Sequence, residues 1–194
     1  MSDTSRAAQG QRTIAAQAAG AFDAETGGVV PAIHMATTFG RDADYAPLNP
    51  DNIYQRCDSE NVRAAENLLA ALEGAGACAL FPSGMAAVAA VLNTLPAGAS
   101  VLVQKQIYYG TTALTRTFCE RRGLALHEVD TSDTQAVAAA VQAHQPALIW
   151  VETPSNPWLR ITDIAAVAKL ARPAGALLAV DSTAATPVMS QPLQ

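Results

Sequence analysis

An aspartate closes the last apolar run of this chain. Leu177-Leu178-Ala179-Val180 leads straight into Asp181, and the loop Ser182-Thr183-Ala184-Ala185-Thr186-Pro187 follows. A short apolar run bounded by turn formers predicts a strand buried on both faces. Asp181 then stands at a strand's carboxyl end, where open α/β sheets keep their ligand sites. A carboxylate there is costly unless a cation meets it; a helix cap or a metal ligand is the other reading. Ser83-Gly84-Met85 precedes a helical run and offers backbone N–H groups, a hydroxyl and a positive helix end to one anion, or serves as a plain turn. Tyr109, in Tyr108-Tyr109-Gly110, suits stacking on a flat ring or half-burial beside a loop. Glu152-Thr153-Pro154-Ser155-Asn156-Pro157 sets an acid and an amide in one loop, where Asn156 is either a site residue or a turn former. Gly-x-Gly-x-x-Gly and the Walker-type lysine motif are missing, which argues against a nucleotide rim.

Strands and helices must bring these stretches together. Residues 1–52 show little periodicity, carry Gly27-Gly28, Pro31, Pro47 and Pro50, and predict an extended N-terminal arm. Ser59 is a fair N-cap for a helix with Ala65, Leu68, Leu69 and Leu72 on one face, which Gly74 ends. Beyond it strand and helix alternate. Strands are predicted over 77–81, 100–104, 124–129, 147–151 and the run into Asp181. Helices are predicted over about 85–93, 111–122, 133–144 and 163–171, the last capped by Thr162. Repeated β-α units with short connections argue an α/β domain over 53–194, a mostly parallel sheet with helices on both faces. In such a sheet all the chemistry-bearing loops share one rim. A sheet ending on an uncovered strand is incomplete, so the chain is expected to be the N-terminal part of a larger domain.

Composition narrows the classes further. Of 194 residues half are apolar and 15% charged, which suits a packed core and excludes a disordered chain. The net charge is −5 and the 12 basic residues are scattered, so no stripe exists to follow a nucleic-acid backbone. Cys57, Cys78 and Cys119 are odd in number and widely spaced, which fits free thiols in a reducing cytoplasm. No secretion signal and no run long enough to span a membrane is visible.

Taken together, these segments resemble one family. Tyr54-Gln55-Arg56, Leu72-Glu73-Gly74, Phe81-Pro82-Ser83-Gly84-Met85-Ala86-Ala87, Tyr109-Gly110-Thr111, Val151 to Pro157 and Val180 to Pro187 stand in the order found in the Cys/Met-metabolism (trans-sulfuration) family of pyridoxal-phosphate enzymes. That family includes cystathionine synthases and lyases and homoserine-ester sulfhydrylases. The resemblance implies a fold-type-I large domain and pyridoxal 5'-phosphate as cofactor. Ser83, Gly84 and Met85 would hold its phosphate, while Tyr54 and Arg56 would reach the phosphate in a neighbouring subunit. Tyr109 would stack on the ring, Asn156 would bond its phenolic oxygen, and Thr183 would lie near the ring. Asp181 would pair with the ring nitrogen and keep it protonated, with Glu152 in a supporting role.

The implied activity is γ-elimination or γ-replacement on a small amino-acid substrate, in a homotetramer built from dimers with shared sites. Within the family, a β-lyase is the alternative; outside it, a non-catalytic α/β module is. The family's Schiff-base lysine, expected in a Ser-x-Thr-Lys sequence after the aspartate strand, is not among these residues. Only Lys105 and Lys169 are present, and neither matches it, so the chain by itself is expected to be inactive. The usual Asp-Asn-Thr-Phe is replaced by Asp181-Ser182-Thr183-Ala184, which keeps the aspartate and the threonine.

Overall fold

A computed structural model describes residues 10–194, so residues 1–9 of the expected arm lie outside the described residues. Two compact units are formed: the described residues up to Leu80 together with Leu193–Gln194, and Phe81–Pro192.

The first unit holds helix α1 (Gln11–Ala16), a 3-10 turn at Ala18–Gly20, and helix α2 (Glu60–Glu73). Between them the chain is irregular, with isolated antiparallel bridges at Thr38–Tyr54 and Arg41–Pro47. Both ends of α2 follow from its sequence. Ser59 Oγ accepts from the Val62 N–H at the start, and Gly74 takes the left-handed conformation (φ 64°) at the end, where a side chain would be strained.

The second unit alternates. Helix α3 (Gly84–Asn93) comes first, then strand β1 (Ser100–Gln104), helix α4 (Tyr109–Arg122), strand β2 (Ala125–Val129) and helix α5 (Thr134–His144). Strand β3 (Leu148–Glu152), helix α6 (Ile164–Ala171), strand β4 (Leu177–Asp181) and the short helix α7 (Thr186–Met189) complete it. All strand pairs are parallel, in the order β2-β1-β3-β4. The chain steps from β1 one way to β2 and then returns past β1 to β3. Right-handed crossovers in opposite directions place their helices on opposite faces. Accordingly Cys119 of α4 packs with Val101, Val103, Leu148 and Trp150, whereas Val137 and Val141 of α5 and Val167 of α6 pack with Leu102, Ile149 and Val151. Alternate residues of β1 and β3 thus feed two cores, and each fully buried Val, Leu or Ile contributes about 1.5–3 kcal/mol.

Three expectations are corrected here. Residues 77–81 form no strand, because no neighbour offers a ladder; the Leu80 N–H donates to Glu66 Oε1 at 2.9 Å. Strand β4 is not buried on both faces: it is the sheet's edge, and Leu177 is 57% exposed. Thr162 does not cap α6. Asp163 does, its Oδ1 accepting from the Ala166 N–H, while the Thr162 hydroxyl is drawn into buried bonds with Gln104 Oε1 and Thr131 Oγ1.

Candidate active site

The reversal of strand order between β1 and β3 opens a crevice at their carboxyl ends, the usual ligand position in an open α/β sheet. A cavity of about 460 Å³ lies there, and Ser83, Gly84, Met85, Tyr108, Glu152, Asn156, Asp181 and Thr183 are among its lining residues. Four separate connections therefore converge on one space.

Each wall has a local cause. Ser83 is the N-cap of α3, its Oγ accepting from the Ala86 N–H at 3.1 Å. That leaves the N–H groups of Gly84 and Met85, in the helix's first turn, without an intrahelical acceptor and at the positive end of the dipole. A methyl group at Gly84 would meet no atom from elsewhere in the fold within 4 Å, so the space beside this glycine is open. On the far wall, Asp181 Oδ1 accepts from both the backbone N–H (3.0 Å) and the hydroxyl (2.6 Å) of Thr183. One carboxylate oxygen is thereby fixed, and Oδ2 is left for another partner.

Between these walls stands Glu152, the last residue of β3 and only 4% exposed. Its Oε2 accepts from the Tyr108 N–H at 2.9 Å and its Oε1 from the Asn156 N–H at 2.6 Å. Burial raises its carboxyl above the ordinary glutamate value; those two N–H bonds oppose the shift, and the charge of Asp181 adds to it. Behind it, Gln104 Oε1 accepts from the Glu152 N–H and from the Thr162 hydroxyl. The Thr162 N–H in turn donates to Thr153 Oγ1. Sequence reasoning gave Glu152 only a supporting place and missed Gln104. Their signal was position, since both end strands of the same rim.

The family resemblance points to Tyr109 for the stacked ring, and the cavity has a different tyrosine in its wall. Tyr108, not Tyr109, lines the cavity. Tyr109 opens α4 and is 77% exposed, whereas the bond from the Tyr108 N–H to Glu152 holds Tyr108 inward. Gly110 accommodates that ring. A methyl group there would stand 2.6 Å from Tyr108 Cε1 and 3.2 Å from Met85 Sδ. A glycine two residues past a tyrosine was the available signal. Thr111, buried in α4, also lines the cavity.

Tyr54 and Arg56 belong to the other compact unit. There Arg56 Nη2 donates to the Tyr54 hydroxyl at 2.8 Å, and its guanidinium lies 5.0 Å from that ring's centroid. Among the described residues no group of three potential metal ligands exists, and no helix is long and apolar enough to cross a membrane.

A family model described as "Cys/Met metabolism PLP-dependent enzyme" matches residues 12–194. The chain is 39% identical over 153 residues to the O-succinylhomoserine sulfhydrylase of Pseudomonas aeruginosa, covering 78% of this chain and 38% of that protein. It is 36% identical over 171 residues to the cystathionine gamma-lyase of Bacillus subtilis, covering 88% and 44%. The crystal structure of metB from Corynebacterium glutamicum superposes with a TM-score of 0.88 at 38% identity, covering 95% of this chain and 48% of that one. Other relatives carry the names "Probable cystathionine gamma-synthase" and "Cystathionine beta-lyase MetC". The chain spans less than half the length of each of the three proteins compared in detail.

Proposed function

The chain belongs to the Cys/Met metabolism family of pyridoxal-phosphate-dependent enzymes, and from that premise we propose that the whole protein performs γ-elimination or γ-replacement on sulfur amino acids or activated homoserine esters. One observation carries the reading: a single cavity gathers anion-binding N–H groups, an aromatic ring, an amide and a carboxylate. Pyridoxal phosphate, the family's cofactor, supplies a cationic ring that takes up the electron pair left when a substrate loses its α proton.

The residues present fit that group. The N–H groups of Gly84 and Met85, with the Ser83 hydroxyl, bind a phosphate in the space left at Gly84. Tyr108 offers its ring to the pyridine face, and the Asn156 amide donates to the phenolic oxygen. Asp181 holds a proton on the ring nitrogen through Oδ2, while Thr183 fixes Oδ1 and so aims the carboxylate. We assign Tyr54 and Arg56 to the cofactor phosphate of a neighbouring subunit in a dimer of dimers, where a guanidinium binds two oxygens at once. Neither Lys105 nor Lys169 lines the cavity, so turnover is assigned to the whole protein and not to these residues alone. Three free cysteines support a cytoplasmic location.

Relatives named cystathionine beta-lyase support a second reading, cleavage on the other side of the sulfur. Incubating the full-length protein, loaded with pyridoxal phosphate, with L-cystathionine separates the two. Release of 2-oxobutyrate, or thiol-dependent release of succinate from O-succinylhomoserine, supports the γ reading. Pyruvate release supports the β reading, and no product from either substrate overturns both.

A further inference from the structure

We propose that Glu152 is a positioning residue that ties the two sides of the cavity together, one carboxylate oxygen holding the loop of Tyr108 and the other the loop of Asn156. The geometry is specific. Oε2 takes the Tyr108 N–H at 2.9 Å, and Oε1 takes the Asn156 N–H at 2.6 Å. These residues lie 44 and 4 positions away along the chain, on connections leaving different strands. Only an ionised carboxylate accepts at both oxygens in this way. A protonated acid turns one oxygen into a donor, and an amide presents N–H to N–H.

Gln104 sets the residue that does this. Its Oε1 accepts the Glu152 backbone N–H at 2.9 Å from the end of β1, and Gln104 is itself 3% exposed. Leaving a buried carboxylate between two backbone donors, beside the negative Asp181, is costly for folding alone. An apolar residue there would avoid the buried charge but leave both N–H groups without this acceptor, and we assign the carboxylate to holding the two loops in the geometry the cofactor needs. The titratable groups that share the lining with Glu152 are Asp181 at the end of β4 and the phenol of Tyr108. Burial and Asp181 both favour proton uptake by Glu152 at a higher pH than a free glutamate shows, although the two N–H bonds oppose it.

The inference rests on the cofactor reading above, so its test must fail separately. The full-length protein is titrated with pyridoxal phosphate across a pH series, reading affinity and the induced circular dichroism of the bound cofactor. Glu152→Gln is expected to bind on the order of tenfold more weakly at neutral pH, the scale of one lost charge-assisted bond. Its dichroism is expected to shrink, and it should lose an acid step that the unaltered protein shows. Titrations of the cofactor itself occur in both proteins and cancel in the comparison, and a merely structural lesion would not erase a pH step. If Glu152→Gln does not fold, Glu152→Asp carries the test. It keeps the charge but is one methylene too short to reach both loops, and is expected to lose affinity and dichroism by a smaller factor. Unchanged affinity, dichroism and pH profile in whichever variant folds overturn the inference. No binding by the unaltered protein overturns the cofactor reading instead.

Discussion

Asp181 commits one oxygen to Thr183 and keeps the other free, and that division predicts how its loss is felt. Phosphate binding by the first turn of α3 does not need the carboxylate, whereas electron uptake by a protonated ring does. Asp181→Ala is therefore expected to retain pyridoxal phosphate, by fluorescence titration, while turnover falls on the order of 10²-fold, the scale of removing one preorganised electrostatic partner. The neighbouring tyrosines give a paired test. Tyr108→Ala is expected to weaken cofactor affinity by roughly 1 kcal/mol, the value of a stacked ring, and Tyr109→Ala by less than about 0.5 kcal/mol because its side chain is exposed. A larger loss from Tyr109 than from Tyr108 would reverse the aromatic assignment made from the cavity.

At the scale of elements, caps decide which N–H groups are spent and which remain for ligands. Ser83 satisfies the Ala86 N–H and leaves those of Gly84 and Met85 open. Ser83→Ala is expected to cost about 1 kcal/mol of stability, read by thermal melting, and to weaken phosphate-dependent cofactor binding as well. Both losses should appear together, because the same hydroxyl orders the helix start and faces the cavity. One such end was legible in the chain itself: Ser59 reads as an N-cap and caps α2, whereas the caps made by Ser83 and Asp133 emerge only in the structure. Thr162 was not legible. It looks like a cap next to Asp163, and only the buried bonds to Gln104 and Thr131 reveal why its hydroxyl is used elsewhere.

Taken as a whole molecule, the α/β sheet carries its own acid sensitivity away from the cavity. The rings of His127 on β2 and His144 at the end of α5 stack with centroids 3.6 Å apart. Burial, and then the neighbouring His144, lower the His127 pKa below its ordinary value. The native state thus binds a proton less readily than the unfolded chain does. Stability from this group is full above the unfolded value of about 6.5 and declines as pH falls through it. Melting temperature is expected to drop between pH 7.5 and pH 5.5, and His127→Gln to flatten that part of the profile. An equal drop in the variant would remove His127 as the cause.

The sequence by itself determined the parallel α/β class, the strands that feed two cores, and the family, because short apolar runs, turn formers and short motifs are local properties. It also placed Ser83 and Gly84 at a helix start, Asn156 in the loop after a strand, and Asp181 at a strand end. Only the tertiary structure decided which tyrosine turns inward, that Glu152 bridges two loops, and that residues 77–81 find no partner. Each of those depends on what a residue meets across space. A glycine that accepts a ring, an oxygen shared between distant N–H groups, or a missing ladder leaves no periodic trace in the chain.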